Sequence, residues 1–167
     1  MKVLHTSIVA IFAFSANTNA QSLSYQDASS PLGAIGMLKA TSHLANFMKT
    51  KCVDKVPAIA AELDANLLSW REQEAKNLAK MDSIWPSMVA QEPRFEQVVS
   101  MQESAVESML SYATKLPGDL GDQFYTDTCR KHFADLASGI WRKRTPLMYQ
   151  YLDELSENPK LTKPQSP

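Results

Sequence analysis

The residue types that do chemistry are few in this chain. Beyond an apolar N-terminal segment there are two cysteines, Cys52 and Cys129, and two histidines, His43 and His132. Cys129-Arg130-Lys131-His132 puts a thiol and an imidazole on adjacent faces of one helical turn, a spacing that offers a metal two ligands. No second ligand pair accompanies it, and a structural zinc site needs four ligands. The Glu-x-x-His pairs of di-iron bundles are missing, as is the Cys-x-x-Cys-His of covalent haem attachment. A helical bundle can still hold a haem between one methionine and His132, but methionines at core spacing usually serve packing. No Gly-x-Ser-x-Gly, phosphate loop or Gly-x-Gly-x-x-Gly appears. The expectation is an empty catalytic set, no cofactor and no metal.

Several polar residues stand out by position. Glu74 lies at the centre of an apolar stripe, between Trp70 and Leu78. A carboxylate there has a cation partner or sits near water at the end of a bundle. As a functional group it would be an acid or base. Gln102 lies similarly within an apolar arc, where a buried amide sets helix register through its hydrogen bonds. Glu96, Glu103 and Glu107 run down one flank of a helix, as a solvated face or an acidic binding stripe. Trp141 precedes Arg142, Lys143 and Arg144. That cluster suits an anionic lipid or an acidic patch on a partner, and it also suits a helix C-terminus. Trp and Arg carry much of the energy at protein interfaces. Trp141, Arg142 and Arg144 are therefore the first candidates for a contact surface.

The elements that position these residues are helices. From Pro31 to about Lys51, Ala34, Met37, Leu38, Thr41, Leu44, Ala45 and Met48 share one side, with Ile35 and Phe47 off the stripe. A second helix starts near Pro57 and carries Val56, Ile59, Ala60, Leu63, Leu67, Trp70, Leu78 and Met81, with Leu68 off the stripe. Trp85-Pro86 ends it. Pro93 opens a third, with Phe95, Val98, Val99, Val106, Met109, Leu110, Ala113 and Leu116 in one arc. Leu116-Pro117-Gly118-Asp119 is a turn. The fourth runs from about Asp122 to Ser138, with Tyr125, Cys129, Phe133 and Leu136 inward and Gly139 as its stop. A short fifth follows Thr145-Pro146, with Leu147, Met148, Tyr151, Leu152 and Leu155 on one face. The fold class is all-α: a compact bundle of four main helices plus a short fifth, with one disulfide.

Residues 1–20 read as a cleavable signal peptide. Lys2 supplies the charge, Ile8 to Phe14 the apolar run, and Thr18 and Ala20 the small residues before the cut. The run is far short of the roughly 20 residues that span a bilayer. Residues 21–30 read as a flexible arm, 31–156 as the helical domain and 157–167 as a flexible tail. Cleavage leaves 147 residues, enough for one core, with a net charge of about −2 once Lys2 is gone. That balance argues against a nucleic-acid binder, which needs a basic excess. An even cysteine pair in an exported chain reads as a disulfide, Cys52–Cys129.

The stretch Cys52 to Ala75 has a cysteine, then Pro57, Leu63, Leu67 and the Trp70-Arg71 pair, and a second cysteine follows in a late helix. In this it resembles small exported, two-cysteine, all-helical proteins of proteobacteria whose function is unassigned. The resemblance implies a periplasmic setting and transfers no active site. The expected function is a non-enzymatic periplasmic or secreted binding protein that docks an envelope protein or a delivered toxin, in the manner of immunity proteins, inhibitors or small chaperones. The competing expectation is a cofactor- or metal-carrying bundle, or an enzyme with an unrecognised site.

Overall fold

A computed structural model describes residues 30–157. The expected signal peptide, residues 1–20, and the expected arm, 21–30, and tail, 157–167, apart from residues 30 and 157, lie outside the described residues.

Ser30 begins the first helix by accepting a hydrogen bond from the Gly33 backbone N–H at 3.1 Å, and Pro31 occupies the first turn, where no N–H is needed. Helix α1 runs Pro31–Lys55 and stops at Val56, which leaves the helical conformation just before Pro57. A single 3-10 turn, Pro57–Ile59, leads into α2, Ala60–Gln73. Helix α3 is Ala75–Gln91 and α4 is Arg94–Ala113. Then come α5, Leu120–Ala137, the short α6, Ile140–Arg144, and α7, Pro146–Glu157. The described residues contain no strand, so the chain is all-α.

The count differs from four helices plus a short fifth: there are seven α-helices among the described residues. The expected second helix is divided at Glu74, whose φ of −100° and ψ of 9° interrupt the regular helix. Its second half, α3, does not end at Trp85-Pro86 but continues to Gln91. Pro86 cannot donate to the carbonyl four residues back, that of Asp82. Both residues are exposed, so water can satisfy that carbonyl. Ile84 and Met88 meanwhile stay in the core on either side of the proline, and their burial offsets the local cost. The other unforeseen helix, α6, occupies the basic segment between Gly139 and Thr145.

Helix α1 is the axis of the fold, packed against α2, α3, α4, α5 and α7. This explains one departure from the expected stripe. Ile35 is fully buried although it lies off the main face, because a helix covered from several sides has no solvent face at that level. Phe47 is half-buried against the core, while Leu68 is exposed as expected. Leu147 is exposed rather than inward, and Tyr149 takes the buried position in α7.

Two joints fix α5. Cys52, in the last turns of α1, is bonded to Cys129 with 6.0 Å between Cα atoms, and both are fully buried. One turn away the Tyr125 hydroxyl donates to the Lys51 carbonyl at 2.9 Å. At its start, Gly121 lies so close to the Ala113 carbonyl that a Cβ would clash with it. Gly139, at φ +66°, ends α5 in the left-handed conformation glycine adopts freely.

Candidate functional site

The inward positions of α2 and α3 form one series with alternating steps of four and three: Leu63, Leu67, Trp70, Glu74, Asn77, Met81, Ile84 and Met88. The series runs through the break. So does the backbone ladder, with Glu74 N–H donating to Trp70 and Leu78 N–H donating to Glu74. Its two polar members are both buried, Glu74 at 2 % exposure and Asn77 at 3 %. They answer each other, since Asn77 Nδ2 donates to Glu74 Oε2 at 2.9 Å.

The cation for Glu74 comes from α6. Arg142 Nη2 donates to Glu74 Oε2 at 3.2 Å, and its Nη1 lies 3.5 Å from Asp153 of α7. The guanidinium stands 4.4 Å from the centroid of the Tyr149 ring. Burial, and then the Glu74 carboxylate, raise the Tyr149 hydroxyl well above the ordinary phenol range, so it stays protonated. A buried carboxylate with a guanidinium, an amide and a phenol ring around it is a satisfied polar cluster. Too little of Glu74 is exposed for a substrate atom to approach it. The arrangement holds α6 and α7 against the α2–α3 break.

The predicted contact trio thus lies together on α6, but its charged heads are engaged. Arg142 serves Glu74 and Asp153. Arg144 donates to Asp135 at 3.1 Å and stands 5.7 Å from the Trp141 ring centroid. Trp141 is half-buried against the core, with its Nε1 lacking a hydrogen-bond partner. Gln102 is half-buried, but its Oε1 has no partner, so it does not set register through that atom.

The Cys129–His132 pair holds no metal-binding thiol, because Cys129 is spent in the disulfide. His132 packs its ring edge-on to Phe133, with 5.3 Å between centroids, and its Nε2 has no partner. Burial pushes the imidazole down to about 4, against a smaller upward pull from Asp135. Among the described residues no cluster of three or more His, Cys, Asp or Glu could hold a metal, and no helix is long and apolar enough to cross a membrane.

The acidic flank of α4 meets α1. Glu103 lies 2.6 Å from His43 Nε2, and Glu107 lies 2.9 Å from Lys51 Nζ. Glu96, two turns before Glu103, edges a groove of about 290 Å³ with Lys39, His43, Trp85, Ser100 and Glu103. The Lys39 ammonium lies 5.8 Å from the Trp85 ring centroid, and Trp85 meets Phe95 edge-to-face at 6.1 Å.

With Glu103 and Glu107 turned to α1, the rest of the α4 surface from Gln97 onward carries no charge over about four turns. Ser100, Ser104, Ser108 and Ser111 line one side of it, and Met101, Ala105, Met109 and Tyr112 the other, all exposed. Met101 is 69 % exposed and Tyr112 55 %. The apolar side continues onto α5: the Tyr112 ring meets Phe124 edge-to-face at 6.0 Å, and Leu120, one turn before Phe124, is 56 % exposed. Reading the sequence as an apolar arc with a polar back missed this face. The signal was there, because a solvated back is normally charged, and residues 97–114 place charge only at Glu103 and Glu107.

No family model matches the chain, and neither curated proteins nor solved structures give a match.

Proposed function

We propose that this is an exported, non-enzymatic protein that works by docking another protein through the uncharged outer face of α4. The carrying observation is that face itself. Interface cores are depleted in charge and enriched in Met and Tyr, and Met101, Met109 and Tyr112 stand exposed on this uncharged surface. The occupant is an uncharged, apolar helix face of an envelope protein or of a delivered toxin. Periplasm or secretion is supported by the residue pattern before Gln21 and by the Cys52–Cys129 bond, which persists in oxidising compartments. The contact is assigned to α4 rather than to Trp141, Arg142 and Arg144, since the two arginines are taken up within the fold.

The test is site-specific photo-cross-linking in cells, with the reactive residue at position 112 or, as a control, at the exposed position 72 of α2. Support is one discrete adduct from position 112 alone, whose purified partner then binds directly and is weakened by Met109→Asp. An adduct of twice the chain's own mass would instead make the occupant a second copy. Turnover of a small substrate by the purified protein, or identical adducts from both positions, defeats the reading.

A further inference from the structure

The sulfur atoms of the described residues differ sharply in their access to solvent. Cys52 and Cys129 are joined and fully buried, and no cysteine is free, so no thiol competes for an oxidant. Met48, Met81, Met88 and Met148 are buried, none more than 4 % exposed, and Met37 packs half-buried against the core. Met101 and Met109 are 69 % and 37 % exposed. Both lie on the uncharged face of α4, with exposed Ala105 midway between them.

We infer that Met101 and Met109 form a reversible oxidation site that switches the α4 face off. The inference rests on the docking reading and adds its regulation. The oxidant is of the hypochlorous acid class. The thioether sulfur attacks the chlorine and hydroxide leaves; water then adds to the sulfur and chloride leaves. The net change is transfer of one oxygen atom. The sulfur is oxidised by two electrons to a sulfoxide, and the reagent ends as chloride with release of one proton. A sulfoxide reductase drawing on a dithiol restores the thioether, with water and a disulfide as the other products. Oxidation turns a flexible apolar side chain into a polar one that accepts hydrogen bonds. Covered by an uncharged, apolar helix, its oxygen loses water and gains no donor. Docking covers both sulfurs, so the reaction belongs to the undocked chain and prevents association. The buried methionines, which fill the core, stay out of the oxidant's reach.

The test begins with the purified exported chain and limiting hypochlorous acid, read by peptide mass mapping. Sulfoxide should form at Met101 and Met109 at least about fivefold faster than at Met48, Met81, Met88 and Met148. Retention on a phenyl matrix should fall and then return after reductase treatment. It should not change in Met101→Leu, Met109→Leu, whose exposed positions leave the fold intact. In the second arm, chain carrying the photo-reactive residue at position 112 is added to permeabilised cells that lack the protein. Oxidised chain should give about tenfold less adduct than untreated chain. The double leucine variant should give as much adduct after oxidation as before. Uniform oxidation of the methionines, an adduct that survives oxidation of both sulfurs, or an equal loss in the leucine variant overturns the switch and leaves docking standing. Untreated chain that gives no adduct ends the docking reading and the switch with it.

Discussion

Arg142 and Glu74 stand 68 positions apart in the chain and 3.2 Å apart in space, Nη2 against Oε2. The carboxylate is buried, whereas the guanidinium is 41 % exposed, so the pair is a surface cation reaching into the core. Removing the cation leaves a buried acceptor charge without its counter-ion. Arg142→Ala should destabilise by about 1–3 kcal/mol, and Lys143→Ala, next to it on the surface, by less than about 0.5 kcal/mol. In the double variant Glu74→Gln, Arg142→Ala the losses should be less than additive. Urea midpoints at neutral pH give all four values. An Arg142→Ala loss no larger than that of Lys143→Ala would show that the pair does not hold the C-terminal helices.

Two glycines should respond in opposite directions. A Cβ at Gly121 would run into the Ala113 carbonyl, so Gly121→Ala must push α4 and α5 apart and should cost about 1–3 kcal/mol. Gly36 sits inside α1 with open space where its Cβ would go. Gly36→Ala should therefore stabilise by about 0.5–1 kcal/mol, through helix propensity and a less flexible unfolded chain. Thermal unfolding of both variants checks the signs. A neutral Gly121→Ala would mean that the two helices are not in contact there.

His132 predicts a pH dependence. Its folded-state value is depressed to about 4, below the ordinary 6.5. Between these values the unfolded chain takes up a proton that the folded chain refuses. Stability from this residue is therefore complete above about 6.5, falls as the pH drops toward 4, and levels off below it. The facing charge is Asp135, which also meets Lys131 and Arg144. His132→Leu removes the titrating group and keeps an apolar filling. Its stability should fall less than that of the parent between pH 6.5 and 4. Parallel curves in this window would place the acid sensitivity in other groups.

Export and oxidation are tested together on the mature protein. Its N-terminal residue should be Gln21, and an intact Met1 would end the signal-peptide reading. Thiol titration of the unfolded, unreduced protein should find no free thiol, because both cysteines are in the Cys52–Cys129 bond. Replacing both by serine should cost about 2–5 kcal/mol, the range for losing a long-loop disulfide.

What local chemistry governs was legible in the residues alone. Helix starts near Pro31, Pro93 and Pro146 and the stop at Gly139 follow from backbone restrictions that act within a residue or two. The cysteine pairing followed from the count. Glu74 was conspicuous because a charge on an apolar stripe needs an explanation wherever the helix lies. Its cation was not legible, since Arg142 reaches it only after three intervening helices have turned back. Nor was the course of the chain through Pro86, where local propensity says stop and burial of Ile84 and Met88 says continue.

By itself the sequence determined the all-α class, the helix starts near Pro31, Pro93 and Pro146 and the disulfide, because periodicity, proline and glycine act locally and two cysteines have one pairing. Only the tertiary structure decided that α1 is the axis and that Ile35 is therefore core. It also made Arg142 the counter-charge of a buried carboxylate and drew Glu103 and Glu107 of α4 to α1, leaving an uncharged face outside. Each of these depends on which helix lies against which, and a helical stripe records how much of a helix is covered without recording by what.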